Sequence, residues 1–186
     1  EAMGNGKFNY LDEYYSGGKK LKQFPEALVL GDYHTGDTCQ KVKARTIKMI
    51  EELKPKRVVF HDLFNGHSIN HHEEKNFISK ARLINDKRHE LEKELREVLE
   101  EVKFFAKKFP NVQFIVAESN HDLFLNTYLG TINWLKDGQN SIMASKLFEP
   151  IVGNVVGGKQ KKASLEIALS LFEKLPSNFN FLIEDQ

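Results

Sequence analysis

Cysteine is almost missing from this 186-residue chain: Cys39 stands alone. That excludes an internal disulfide and points to a reducing compartment. An excess of charge of one sign is missing too. With 27 Lys and Arg against 26 Asp and Glu, the net charge is +1, so no global field draws the chain to nucleic acid or membrane. Any polyanion binding has to come from local patches. No apolar run approaches the roughly 20 residues that span a bilayer, and no signal peptide is visible. The expected location is therefore the cytoplasm, with no membrane partner. What is present, 40% hydrophobic and 28% charged residues, suits a folded domain rather than a disordered one. This length supports one domain with a sizeable core.

The chain opens on Glu1 without an initiator Met and stops just after an apolar run, 179–183, that reads as a strand. The expectation is a partial domain, with further residues beyond 186. Residues 1–26 mix Gly, Tyr, Lys and Asn without a period and read as an irregular lead-in holding a small basic cluster, Lys19, Lys20 and Lys22. A strand follows over 27–30, a helix over 41–53 stopped by Pro55, and a second strand over 57–60. Phe77, Ala81, Ile84, Leu91, Leu95, Val98, Val102, Phe105 and Phe109 then alternate steps of three and four, with Arg88 the one polar interruption. That pattern predicts one unusually long helix, about 73–109, on the order of 50 Å at 1.5 Å per residue. Its narrow stripe suits packing on its own domain or, as the less favoured explanation, a helix-mediated homo-oligomer. Pro110 and Asn111 end it. A third strand fits 112–117, helices fit 123–135, 141–148 and 164–175, and Gly153, Gly157, Gly158 and the run 159–162 mark a basic loop. Alternating strands and helices predict an α/β layered fold with a largely parallel sheet.

Three clusters follow directly on the first three strands: Asp32-Tyr33-His34, His61-Asp62-Leu63-Phe64-Asn65, and Asn120-His121-Asp122. Strand ends of one sheet edge are where open α/β folds place their ligands. Oxygen and imidazole donors there suit divalent ions, Mn²⁺, Mg²⁺, Fe or Zn²⁺. Phosphate esters resist attack because their oxygens are negative. Two divalent metal ions about 3.5–4 Å apart neutralise those oxygens and ionise a water. Asp32 and His34, two apart on an extended segment, point the same way and share one ion. Asp62 is the natural bridge, Asn120 offers an amide oxygen to the second ion, and His121 is placed to protonate the leaving oxygen.

The pattern Asp-x-His, then Asp, then Asn-His-Asp resembles that of the calcineurin-like metallophosphoesterases. It stands here as Gly31-Asp32-Tyr33-His34, His61-Asp62 and Ser119-Asn120-His121-Asp122, over roughly residues 27–122. The resemblance implies a four-layered α/β sandwich. It also implies Asp32 and His34 on the first metal, Asp62 bridging, Asn120 on the second and His121 as the catalytic histidine. Departures are visible. His61 and Ser119 replace glycines of the family pattern. Asp62-Leu63-Phe64-Asn65-Gly66 lacks the second Asp and the Arg of Asp-x-x-Asp-Arg, by which the phosphoprotein phosphatases orient that histidine and grip phosphate. Asp-Leu-Phe is closer to the nuclease branch, and there is a general likeness to phage-encoded members, some of which cut DNA. The family's last motifs need three more histidines, yet all seven here lie at or before His121. Those motifs are expected beyond residue 186.

The leading expectation is a metal-dependent phosphodiesterase, a nuclease with DNA as substrate and Mn²⁺ as the favoured ion. The alternatives are a phosphomonoesterase or small-nucleotide phosphodiesterase, and a non-catalytic scaffold that binds a partner through its long helix. His67, His71 and Asn65, with His72, are candidate substrate contacts, though a solvated loop explains the histidines equally well. Asp122 has two readings: orienting His121, or capping the helix that starts at Leu123. Asp37 is balanced between bonding a ligand and making a turn. Tyr33 is expected in the core, His61 beside the metal ligands and His89 on the surface.

Overall fold

The computed structural model describes residues 2–10, 13–21, 25–70, 76–156 and 162–183. The N-terminal stretch is not irregular. It forms four short strands, β1 (Ala2–Gly4), β2 (Lys7–Tyr10), β3 (Glu13–Ser16) and β4 (Lys19–Leu21), paired in order and antiparallel. Two turns make this possible. Asn5-Gly6 and Gly17-Gly18 all hold positive φ, 51° and 66°, then 57° and 73°. Such two-residue turns match the twist of hairpin strands.

The larger unit begins with β5 (Ala27–Leu30), α1 (Gln40–Leu53) and β6 (Arg57–His61). After β6 come a 3₁₀ turn (His67–Ile69), α2 (Phe77–Asn85), α3 (Leu91–Lys108) and β7 (Gln113–Ala117). The third crossover holds α4 (Phe124–Leu129), a 3₁₀ stretch (Ile132–Lys136), α5 (Ser141–Val155) and α6 (Ser164–Ser170), and leads to β8 (Phe179–Leu182). The sheet order is β5-β6-β7-β8, every pair parallel, so the fold is mixed α/β.

Neighbouring parallel strands joined in sequence by right-handed crossovers put their helices on one face of the sheet. Burial follows that rule. Val58, Phe60, Phe114, Val116, Phe179 and Phe181 are buried on one face. There the Phe105 ring of α3 meets Phe60 at 5.2 Å and Phe114 at 5.8 Å. Each such aromatic contributes about 1.5–3 kcal/mol by leaving water. The opposite face carries Val59 and Ile115, half-buried, with Val29 67% and Leu182 38% exposed.

The single helix expected over 73–109 is two helices. Asn76 caps α2, its side chain accepting from the Ile78 and Ser79 amides. At the other end α2 closes at Asp86, and Lys87 turns left-handed at φ 56°. Five polar residues, 86–90, then separate the helices. Asn140, buried, receives the new start: its Oδ1 accepts from the Leu91 amide at 2.8 Å and its Nδ2 donates to the His89 carbonyl. The apolar stripe is thus used unequally. Leu91, Leu95, Val98, Val102 and Phe105 are wholly buried in the core, while Ile84 on α2 is exposed. α3 also carries Glu92 and Glu94 in its first turn and Lys107 and Lys108 in its last, matching its dipole. No helix among the described residues is long and apolar enough to cross a membrane.

Candidate metal centre

Three loops leave the same edge of the parallel sheet, and backbone hydrogen bonds hold the first two together past the strands. The Tyr33, His34 and Thr35 amides donate to the carbonyls of His61, Asp62 and Leu63, at 3.2, 2.7 and 3.1 Å. Tyr33 anchors the first loop from below. It is buried, its ring sits edge-on to Phe60 at 4.9 Å, and its hydroxyl donates to Glu101. Burial, reinforced by that carboxylate, pushes the phenol pKa upward, so it keeps its proton.

The flanking residues are not extended, as the spacing of Asp32 and His34 led one to expect. Asp32 and His34 have φ of 48° and 47°, and Asp62 on the second loop has φ of 54°. Six non-glycine residues hold positive φ among the described residues, and three are these. Left-handed backbone costs an L-residue roughly 1–2 kcal/mol, and such strain gathers at functional sites. Its effect is convergence. One ligand atom from each of Asp32, His34 and Asp62 lies within 4.8 Å of the others. His34 Nε2 is 3.9 Å from Asp32 Oδ1. Asp32 is exposed, His34 half-buried and Asp62 buried.

Asp62 is the informative member. Its Oδ2 pairs with His61 Nδ1 at 2.7 Å, while its Oδ1 is buried with no hydrogen-bond partner. Burial alone would raise this carboxyl; the neighbouring Ser119 hydroxyl, the His61 bond and the nearby His61 and His121 outweigh it and hold the pKa below the usual range. An ionised oxygen buried without a donor is where a cation fits. With one imidazole and two carboxylates gathered, the donor set suits a borderline divalent ion.

The third loop brings His121 alongside. Its ring lies 4.5 Å, centroid to centroid, from that of His34, edge to face. Its Nδ1 donates to the Asn65 carbonyl at 2.7 Å. A carbonyl only accepts, so Nδ1 carries hydrogen and Nε2 is left as the nitrogen that gains or loses a proton. Asn120 is exposed on the same turn. Asp122 is buried and ties loops together: it accepts from the Ser119 amide and hydroxyl at 3.2 and 2.9 Å and from the Phe64 amide at 3.4 Å. Burial, aided by the charge of Asp62 and opposed by those bonds, raises its carboxyl to about 6.

Of the candidate substrate contacts, Asn65 is buried and its side-chain amide donates to Asp37. His67 pairs through Nε2 with Asp37 Oδ2 at 2.7 Å. His71 and His72 lie outside the described residues. Asp37, left undecided by the sequence, is a hub that also takes Arg88 Nη2 at 2.6 Å. Burial pushes the Asp37 carboxyl up, and the bonds from His67, Arg88 and Asn65 bring it below the ordinary range. Arg88 escaped the sequence reading, although a lone cation interrupting an apolar stripe was its signal. His89 is not simply surface. It is half-buried beside a cavity of about 390 Å³ that His67, Lys80, Tyr128 and Lys136 also line.

No protein-family model, no curated protein and no solved structure matches the chain.

Proposed function

We propose that this chain carries part of a calcineurin-like metallophosphoesterase site and hydrolyses phosphodiester bonds, with DNA as its substrate. One observation carries the reading: Asp32, His34 and Asp62 meet at three left-handed positions around a buried carboxylate oxygen without a partner. Strain and desolvation of that kind are expensive in a metal-free protein and are recovered when a cation binds.

In this proposal Asp32, His34 and Asp62 would hold divalent ions, with Asn120 as a further oxygen donor. Mn²⁺ first, or Mg²⁺, Fe or Zn²⁺ on the same donors, would supply charge to neutralise phosphoryl oxygens and acidify water. The protein's own part is geometric and protonic. His121, held through Nδ1 and acting as the imidazolium, would pass its Nε2 proton to the leaving oxygen as a water-derived oxygen bonds to phosphorus and the ester bond breaks. Asp122 keeps the His121 loop fastened to the loop that bears Asp62. The lean toward a diester of DNA comes from Asp62-Leu63-Phe64. It is also favoured by the cavity beside His67, where Lys80 and Lys136 supply the local cations that a net charge of +1 does not.

The finer fold in this proposal is the layered sandwich of the family. A purely parallel sheet is ordinarily covered on both faces. The exposed Val29 and Leu182 on the helix-free face favour a second layer there.

Incubation of plasmid DNA with the purified protein and Mn²⁺ tests the reading. Metal-dependent cleavage is expected, lost at least about 100-fold in Asp62→Asn and in His121→Ala, as acid–base removal costs about 10²–10⁴-fold. Variants that cut as fast as the parent would remove these residues from the mechanism.

A further inference from the structure

We infer that Asp37 is a positioning residue for His121, acting through Asn65; this rests on the reading of His121 as the group that protonates the leaving oxygen. The chain of contacts is continuous. His121 Nδ1 donates to the Asn65 carbonyl. The Asn65 side chain, buried, donates Nδ2 to Asp37. Asp37 is itself held on three sides: by Arg88, by His67, and through its own amide, which donates to the His34 carbonyl at 2.9 Å.

A backbone carbonyl can fix an imidazole only if its own peptide is fixed. Three side chains pin the stretch that bears this carbonyl, one of them Asp122, whose Oδ1 accepts from the Phe64 amide at 3.4 Å. Asp37 holds Asn65 and His67 from one side. Glu94 of α3 holds the other, accepting from the His67 amide at 2.9 Å and from the Ser68 amide and hydroxyl at 3.1 and 2.6 Å. Gly66 between them lies so close to Phe124 that a Cβ would stand 2.6 Å from the ring, and its φ is +74°. Phe124 in turn touches the His121 ring at 4.8 Å. The loop thus has no slack except what its tethers allow. Glu94 is bonded beyond Asn65 and Asp122 before it, so among the described residues Asp37 is the carboxylate bonded to Asn65 itself.

The arrangement accounts for a departure in the sequence. The Asp-x-x-Asp pattern would set a carboxylate three residues after the bridging aspartate, and this chain has Asn65 there. Asp37 stands one residue removed, bonded to the Asn65 side chain while the Asn65 backbone carbonyl holds His121. Arg88 reaches it because the chain leaves the helical path between α2 and α3.

Two measurements on Asp37→Asn and Asp37→Ala separate positioning from bulk structure. The first needs neither metal nor substrate: ¹⁵N shifts of the His121 ring in the metal-free protein. The parent should show the Nδ1–H tautomer, and both variants a mixture with Nε2–H. The second compares DNA with a nitrophenyl nucleotide diester, whose leaving group departs without a proton. On DNA kcat should fall about 10–100-fold with KM within about twofold, and that loss should exceed the loss on the nitrophenyl diester by about tenfold or more. Asp37→Asn preserves shape, so it reports even if Asp37→Ala fails to fold. Unchanged tautomers, or equal losses on both substrates, would overturn the inference. A parent that hydrolyses neither substrate with Mn²⁺ would refute the functional reading instead, and the tautomer result would still decide the role of Asp37.

Discussion

Asp32 shows how a single residue separates stability from function. It is exposed, with an 88% accessible side chain, and holds φ 48°. Glycine accepts that backbone without strain but loses more entropy on folding, so the two effects nearly cancel. Asp32→Gly is therefore expected to leave the melting temperature of the metal-free protein within about 1 kcal/mol equivalent of the parent. Calorimetric titration with Mn²⁺ should show affinity falling about tenfold or more, as loss of a ligand requires. Asp122 makes a pH prediction. Its pKa is raised to about 6 by burial, so between the unfolded carboxylate value and about 6 the folded state binds more protons. Stability from this group is present at low pH and lost as pH rises through about 6. Denaturation of metal-free parent and Asp122→Asn should show the parent's relative stability declining from about pH 4 to about pH 7; a constant difference contradicts the assignment. Asp32, His34, Asp62 and His121 were all legible as residues, because chemistry at strand ends is local in sequence. Asp37 is legible only as a ligand or turn residue and Arg88 only as a break in the stripe, since the contact between them joins segments 51 positions apart and depends on where a helix stops.

Helical periodicity names a face but not a continuous rod, and that explains the error over 73–109. The stripe persists across Asp86 to Glu90 although the helix does not. Lys87 is the residue that turns, at φ 56°. Its side chain is exposed, so Lys87→Gly should relieve strain and change stability by less than about 1 kcal/mol, whereas Lys87→Val should cost about 1–2 kcal/mol. Urea denaturation of the two variants checks the sign; a stabilising valine would mean that the helix runs through. The N-terminal hairpins were missed for the opposite reason. Asn5-Gly6 and Gly17-Gly18 are strong turn signals, but the strands beside them are three or four residues long and show no clean alternation. The parallel strands were read within a residue of their bounds, because buried strands appear as short apolar runs between breakers.

At the scale of the whole molecule, sheet, loops and helices divide the work. The sheet and α3 supply rigidity through a core of stacked aromatics, and three loops on one edge carry the polar chemistry. The strained backbone of Asp32, His34 and Asp62 is tolerable because that core over-determines it. Val29 and Leu182 are exposed on the outer face, where the proposed sandwich would set its further layer. The cation site is the premise on which the proposed nuclease activity and the proposed role of His121 in it depend. Anomalous diffraction from crystals soaked in millimolar Mn²⁺ tests it most directly. The account predicts a peak about 2.0–2.5 Å from oxygen or nitrogen atoms of Asp32, His34 and Asp62 together. No peak there, or Mn²⁺ bound only elsewhere, would contradict it.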